Sequence, residues 1–144
     1  MKKIIVIGAL SFGIVGCASV PMGDPQQDAA LKTFHVPANQ AGIYVYRTES
    51  IGGAVKMDVA VDGAPIGQTA AKTFLYKEVA PGKHEITSKA ENTDALEIDA
   101  KPGTLTYVWQ EVKMGFMFAR NKLHLMSETE GKSGVMETQL AATK

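Results

Sequence analysis

The chain has 144 residues, of which 45% are hydrophobic, and its 15 basic and 15 acidic side chains give a formal net charge of zero. This length suits one domain with a packed core. Nucleic-acid binding needs an excess of basic residues, so the charge balance argues against that class of partner. The single cysteine excludes an internal disulfide.

The first seventeen residues have the composition of an export signal. Lys2 and Lys3 precede an apolar run over residues 4–15, and Gly16 and Cys17 follow it. The run is too short to span a bilayer, which needs about 20 apolar residues. A positive head, an apolar core and a small residue before the cut predict a cleaved signal peptide over residues 1–16.

The residues around the predicted cut, Ile14-Val15-Gly16-Cys17, resemble the lipobox of bacterial lipoproteins, whose usual first residue is Leu. The resemblance implies that the Cys17 thiol is diacylated, that the preceding peptide bond is cut, and that the new amine is acylated. Several acyl chains would hold the protein firmly in a membrane. An ordinary cleaved signal with an incidental cysteine is the alternative.

The position of Ser19 bears on which membrane holds the lipid. In enterobacteria-like systems an Asp at the second residue after the lipidated cysteine signals retention at the inner membrane, and this chain has Ser19 there. The resemblance therefore implies a lipid-anchored protein of the cell envelope, sorted to the outer membrane and facing the periplasm.

Residues 17–39 are predicted to form a lipidated tether. Their proline and glycine residues are typical of a flexible spacer: Pro21, Gly23, Pro25 and Pro37. Within this segment, Asp24 and Pro25 have the residue types of a helix N-cap and first position. They predict a short helix over 26–34, ended by Pro37, with a disordered tether as the alternative.

Residues 40–144 are predicted to form a small antiparallel β-sandwich, so the fold class is mainly β. Runs of β-formers and alternating polar and apolar residues predict strands at 43–47, 57–61, 64–68, 73–79, 83–89, 96–99, 104–113 and 122–126. Turn signals recur about every ten residues, as in sandwiches and small barrels. The tail over 127–144 is polar, with a further short strand or helix over 135–140.

Three segments resemble a family of bacterial lipoproteins of unknown function: Ile43-Tyr44-Val45-Tyr46-Arg47, Val61-Asp62-Gly63-Ala64-Pro65-Ile66-Gly67 and Val79-Ala80-Pro81-Gly82-Lys83-His84-Glu85-Ile86. The second and third segments also resemble the short P-E-G-A-type surface β-domains. The resemblance covers residues 30–126. It implies a sandwich architecture and an envelope location, and it implies no activity.

No catalytic or metal-binding pattern is visible in the sequence. His35, His84 and His124 lack the close spacing typical of metal ligands, and a lipidated Cys17 could not act as a nucleophile. Neither a G-x-S-x-G element nor a phosphate loop occurs. We therefore predict a protein that is not an enzyme, with no metal and no cofactor apart from the covalent lipid on Cys17.

Two groups of residues are candidate binding surfaces. Phe116, Met117 and Phe118 follow Gly115 between two predicted strands and could form an exposed patch; the alternative is that they form the buried face of a strand. The aromatic residues of the strands could stack a ligand or fill an interface, or could instead belong to the core: Tyr44, Tyr46, Tyr76, Tyr107 and Trp109. Of these, Tyr44, Tyr46 and Trp109 are the candidates.

The sequence therefore predicts a membrane-anchored envelope lipoprotein that acts as a protein-interaction or structural module, with an envelope protein as its partner. The alternative is a module that binds a small molecule, glycan or lipid in a groove of the sandwich.

Overall fold

A computed structural model describes residues 20–50, 55–117 and 119–144. Its helices and strands, in chain order, are α1 (Pro25–Leu31), β1 (Ala41–Arg47), β2 (Met57–Val61), β3 (Ala64–Thr69), β4 (Thr73–Val79), β5 (Gly82–Lys89), β6 (Thr93–Ala100), β7 (Leu105–Met114), β8 (Ala119–Met126), α2 (Glu128–Met136) and β9 (Gln139–Leu140). The predicted signal peptide, Cys17, Ser19 and Phe118 lie outside the described residues.

The strands form two sheets, which confirms the predicted small β-sandwich. One sheet has the strand order β8-β7-β1-β4-β9 and the other has the order β3-β2-β5-β6. Most neighbouring strands are antiparallel, whereas β1 pairs in parallel with β7, and β4 pairs in parallel with β9. The chain leaves the five-stranded sheet after β1, builds β2 and β3, and returns to it, so the partners of β1 come from distant parts of the sequence.

The main core lies between the two sheets. Ile43, Val45 and Leu75 of the five-stranded sheet are buried together with Val59 and Ile86 of the four-stranded sheet. β1 is buried along its whole length, because its other face is also covered. This explains why β1 has a continuous run of β-formers rather than an alternation of polar and apolar residues.

Helices α1 and α2 cover the outer face of the five-stranded sheet. Leu31, Phe34 and Val135 pack there against the aromatic side chains of β1, β4 and β7. The Tyr44 hydroxyl donates a hydrogen bond of 2.6 Å to the Leu31 carbonyl. The outer face is therefore a second apolar layer and not a solvated surface.

The predicted tether is wrong for residues 20–39, which pack against the sandwich. Val20 is only 6% exposed and belongs to the main core. Met22 forms a β-bridge with Ala141, and the Gly23 N–H donates to the Leu140 carbonyl over 2.8 Å. The proline and glycine residues suggested a spacer, but the backbone groups of this segment find partners in the C-terminal segment.

The predicted short helix is confirmed as α1, and its bounds differ from the prediction. The Asp24 side chain accepts a hydrogen bond of 2.9 Å from the Gln26 N–H, as expected of an N-cap, and Pro25 is the first helical residue. The helix ends at Leu31, before residue 34. Phe34 adopts a positive φ of 55°, and its ring lies 5.6 Å from the ring of Tyr44.

The polar tail predicted over 127–144 is a folded part of the domain. The Ser127 side chain caps α2 by accepting from the Glu130 N–H, and Gly131, Gly134 and Val135 form the buried side of the helix. After β9, Thr143 bridges to Gly67 of β3. Val135 is the one buried aliphatic side chain of α2. The glycines make the remaining close contacts with the sheet.

Candidate functional site

The hairpin between β7 and β8 projects from one end of the sandwich. Tyr46 pairs with Trp109, and β7 continues from there to Met114, whereas β1 ends at Arg47. The last pair of the hairpin joins Met114 to Ala119. At about 3.3 Å per residue, the end of β7 lies roughly 13 Å beyond the end of β1.

The end of this hairpin carries large apolar side chains in water. Phe116 is 94% exposed, Met114 80% and Met117 72%. We call these three residues the hairpin tip. The alternative of a buried strand face is wrong for them, since Gly115 begins a loop rather than continuing the strand. Met114 was not among the predicted surface residues, although its position directly before the loop glycine could have indicated it.

The base of the hairpin is anchored in the sandwich and its charges are balanced. Met57, Val112 and Ala119 form a small buried cluster beneath it. Three cations on the hairpin each face a carboxylate: Lys113 faces Glu111 at 3.7 Å, Arg120 faces Glu91 at 3.9 Å and Lys122 faces Asp94 at 3.7 Å. The tip is therefore an apolar projection with no local excess of charge, held by a packed base.

Tyr44 and Tyr46 do not belong to any exposed surface. Both are buried under the helices, so the prediction of an exposed aromatic surface is wrong for them, although Tyr46 borders a cavity. The ring of Tyr44 stacks on the ring of Tyr107 with centroids 5.4 Å apart. Burial raises the pKa of Tyr46 to about 12, so its hydroxyl stays protonated as part of the apolar layer.

Two cavities lie on either side of α2. The first, of about 320 Å³, is lined by residues that include Phe34, His35, Tyr107 and Lys132. The second, of about 450 Å³, is lined by residues that include Tyr46, Trp109 and Glu130. The hydroxyl of Tyr107 and the indole nitrogen of Trp109 are buried, and neither has a hydrogen-bond partner among the described residues. These two donors could serve a small ligand or a water molecule.

The three histidines do not converge on one site. His84 contacts Asp62 through Nδ1 at 2.5 Å and the Ala80 carbonyl through Nε2 at 2.6 Å. His124 contacts Glu111 at 2.6 Å and stacks on Trp109, and His35 lies at the first cavity. Within residues 20–50, 55–117 and 119–144, no three His, Cys, Asp or Glu side chains are arranged to hold a metal. Nor is any helix in these ranges long and apolar enough to cross a membrane.

Residues 37–121 match the model of a family described as "Protein of unknown function (DUF2846)". This range runs from the segment before β1 through the hairpin tip and covers more than half of the chain. A protein of Haemophilus influenzae strain Rd described as "Uncharacterized protein" is 33% identical over 130 residues, which are 88% of this chain and 77% of that relative. The resemblance to a family of unknown function is thus confirmed at the level of the domain, and the chain belongs to the DUF2846 family.

Proposed function

We propose that this protein is a lipid-anchored component of the bacterial cell envelope that acts by contact with an envelope protein and not by catalysis. The observation that carries the proposal is the burial of Val20, 6% exposed and only three residues after Cys17. Three residues span at most about 10 Å. A lipid on Cys17 would therefore hold the packed domain directly at the membrane surface.

Two groups of polar side chains among the described residues serve the fold, which supports a role without catalysis. His84 and Asp62 bond to each other and to backbone groups between β2 and β5. In the interior, Gln110 is hydrogen-bonded to Thr69 and to Ser88. The part of the domain best suited to contact another molecule is its surface, above all the exposed hairpin tip.

Metabolic labelling tests the anchor. Cells fed a clickable fatty acid should label the wild-type protein, and the protein should sediment with outer membranes. Cys17→Ser should lose the label, while Ser19→Asp should keep the label and move the protein to inner membranes. Labelling that survives Cys17→Ser would contradict the lipid anchor. An unlabelled wild-type protein would contradict it equally.

Site-specific photocrosslinking in cells tests the protein partner. A photoreactive residue placed in turn at Glu85, Glu97 and Leu125 samples exposed positions on three strands. We expect a discrete crosslinked protein at one or more of these positions. Absence of any discrete product at all three, with the anchored protein present at normal levels, would count against an envelope protein as the partner.

A small-molecule binding module is the second candidate function, favoured by the unpaired hydroxyl of Tyr107 at the first cavity. Native mass spectrometry of protein purified from its own cells would show a retained small molecule. The fraction of the protein that carries this added mass should be smaller for Tyr107→Phe, which removes the donor and keeps the ring. A wild-type protein that carries no added mass would argue against this candidate.

A further inference from the structure

We infer that the second cavity, which lies between α2 and the strands β1 and β7, binds a primary alkylammonium group, the chemistry of a lysine side chain or of a free aliphatic amine. The inference goes beyond the proposed function and does not rest on the lipid anchor. It follows from the side chains that line the cavity, and from the way in which the chain fills two comparable places on the same face of the domain.

The walls of the second cavity are aromatic. Tyr46 of β1 and Trp109 of β7 lie opposite each other in the sheet, and both line the cavity. The ring of Trp109 is supported from its other neighbour, His124, with ring centroids 4.9 Å apart. The face of an aromatic ring attracts a cation, and the face of tryptophan does so most strongly. The volume of about 450 Å³ suits a small organic molecule or a single long side chain.

The charges at the second cavity are negative. Glu130 of α2 and Glu137 at its C-terminal end line the cavity, and none of the described lining residues is Lys, Arg or His. Within the described part of the chain, neither carboxylate forms a salt bridge. Burial, and after it three carboxylates that include Glu130 and Glu137, raises the pKa of Tyr46 to about 12. The negative charge therefore reaches the aromatic wall.

The same outer face has two places in which a lysine of the chain lies between an aromatic ring and a carboxylate. Lys132 lies over the ring of Phe34, 5.5 Å from its centroid, and pairs with Glu128 at 2.6 Å. Lys32 lies over the ring of Phe74, 5.7 Å from its centroid, and pairs at 2.7 Å with the carboxylate one helical turn before it. The second cavity has the rings and the carboxylates of this arrangement, and it has no lysine among the described residues that line it.

The remaining groups of the second cavity suit an ammonium group on an alkyl chain. Such a group has three N–H donors, and the hydroxyls of Thr48, Thr129 and Ser133 line the cavity beside the carboxylates as further acceptors. Met126 offers an apolar contact for the alkyl chain. The indole nitrogen of Trp109 is buried and has no hydrogen-bond partner in the described ranges, as expected where another molecule completes the site.

The fluorescence of Trp109 tests the inference, because Trp109 is the single tryptophan of the chain. The full-length protein, purified in a nonionic detergent, is titrated with n-pentylammonium and, at matched concentrations, with neutral n-pentanol and anionic n-pentanoate. Nα-acetyl-lysine methylamide and its Nε-acetylated form are a second matched pair, in which the charge of the side chain is removed. The tighter of the two ammonium probes shows whether the site suits a free amine or a lysine side chain.

We expect the ammonium probes, and not their neutral or anionic counterparts, to change the fluorescence of Trp109 in a saturable way. The double substitution Glu130→Gln, Glu137→Gln should weaken their binding about tenfold, because partly exposed carboxylates each add a modest attraction. Glu128→Gln is the matched control on the same helix, since Glu128 already pairs with Lys132 at the first cavity. This control should bind the ammonium probes as wild type does, and thermal unfolding verifies that both variants are folded.

A wild-type protein whose fluorescence shows no saturable change would overturn the inference. Equal binding of the ammonium probes and their neutral counterparts would overturn it too, since the cavity would then select an alkyl chain and not a cation. An equal loss of binding in Glu128→Gln and in the double variant would replace the site with a general effect of surface charge. Each of these results leaves the lipid anchor and the envelope protein partner unaffected.

Discussion

Gln110 donates a hydrogen bond of 2.6 Å from its side-chain nitrogen to the hydroxyl of Ser88, across the interior between the two sheets. Its side-chain oxygen accepts from the hydroxyl of Thr69 over 2.6 Å. All three side chains are fully buried. One residue of β7 is thereby bonded to β3 and β5 of the opposite sheet, which fixes how the sheets lie on each other.

Gln110→Leu should destabilise the domain more than its size change suggests. The hydroxyls of Thr69 and Ser88 would be left unpaired in an apolar interior, and the free energy of unfolding should fall by about 2–4 kcal/mol. Urea unfolding of the purified domain measures the loss. The matched control is the triple variant Thr69→Val, Ser88→Ala, Gln110→Leu, which leaves no unpaired group and should recover most of the stability. Equal losses in the two variants would contradict a role for the polar cluster.

Gly134→Ala should lift α2 from the sheet. An added Cβ would lie 2.2 Å from a ring carbon of Tyr46, which forces a shift of the helix and costs about 1–3 kcal/mol. Ser133→Ala is the control on the same helix, because Ser133 is exposed and this change tests helix propensity alone. Thermal unfolding should show a lower midpoint for Gly134→Ala only. An unchanged midpoint would mean that α2 does not lie tightly on the sheet.

The contact between His84 and Asp62 should make stability depend on pH. Both ring nitrogens of His84 face oxygen acceptors, so the doubly protonated ring satisfies both bonds. The hydrogen bond to Asp62 raises the pKa of His84 above 6.5. The hydrogen bond from His84 lowers the pKa of Asp62 below 3.8.

Because the folded-state pKa of His84 is raised, protonated His84 adds to the free energy of unfolding. This contribution is complete below pH 6.5 and is lost as the pH rises through the raised pKa. The contribution of Asp62 is present above pH 3.8 and is lost as the pH falls. The difference in unfolding free energy between wild type and His84→Gln should therefore be largest between these limits and shrink in alkali. Since Asp62 is half exposed, we expect about 1 kcal/mol or less. A difference that grows with pH would refute this assignment.

Removing residues 20–39 should damage the domain and not merely shorten a tether. A chain over 40–144 loses Leu31 and Phe34 from the outer apolar layer and the acceptor of the Tyr44 hydroxyl. We expect it to bind a hydrophobic dye and to unfold at lower urea than a chain over 19–144. The double substitution Leu31→Ala, Phe34→Ala in the longer chain should cause a similar loss. Equal stability of the chains over 40–144 and 19–144 would support the original prediction of a flexible tether.

The sequence predicted the strands well wherever local pattern decides them. The strands over 57–61 and 73–79 have the predicted bounds. The Asp62-Gly63 turn has positive φ at both residues, as a tight hairpin turn requires. The strand predicted over 96–99 begins earlier, since Thr93 already pairs with Lys89, and polar residues near the turn before it bond to β8. Asn92, for example, accepts from the Asn121 N–H.

The features that depend on distant partners could not be predicted. Nothing local shows that β1 pairs in parallel with β7, because alternation defines the faces of a strand and not its neighbours. The sequence left open whether the aromatic residues of β1 lie in the core or at a surface, because the helices that cover them, α1 and α2, are distant in the sequence. The hairpin tip shows the opposite. Phe116 and Met117 are residue types usually found in a core, yet among the described residues no helix or strand covers them.

The pairing of residues near the two ends of the domain has a consequence for biogenesis. Gly23 and Pro21 bond to Leu140 and Ala142, and Lys144 bonds to Ile66. During synthesis the chain lacks these partners until residues 140–144 have been added. The segment before α1 and the adjoining edges of both sheets depend on these pairings. The part of the fold that rests on residues 140–144 therefore forms late, after the rest of the sandwich has been synthesised.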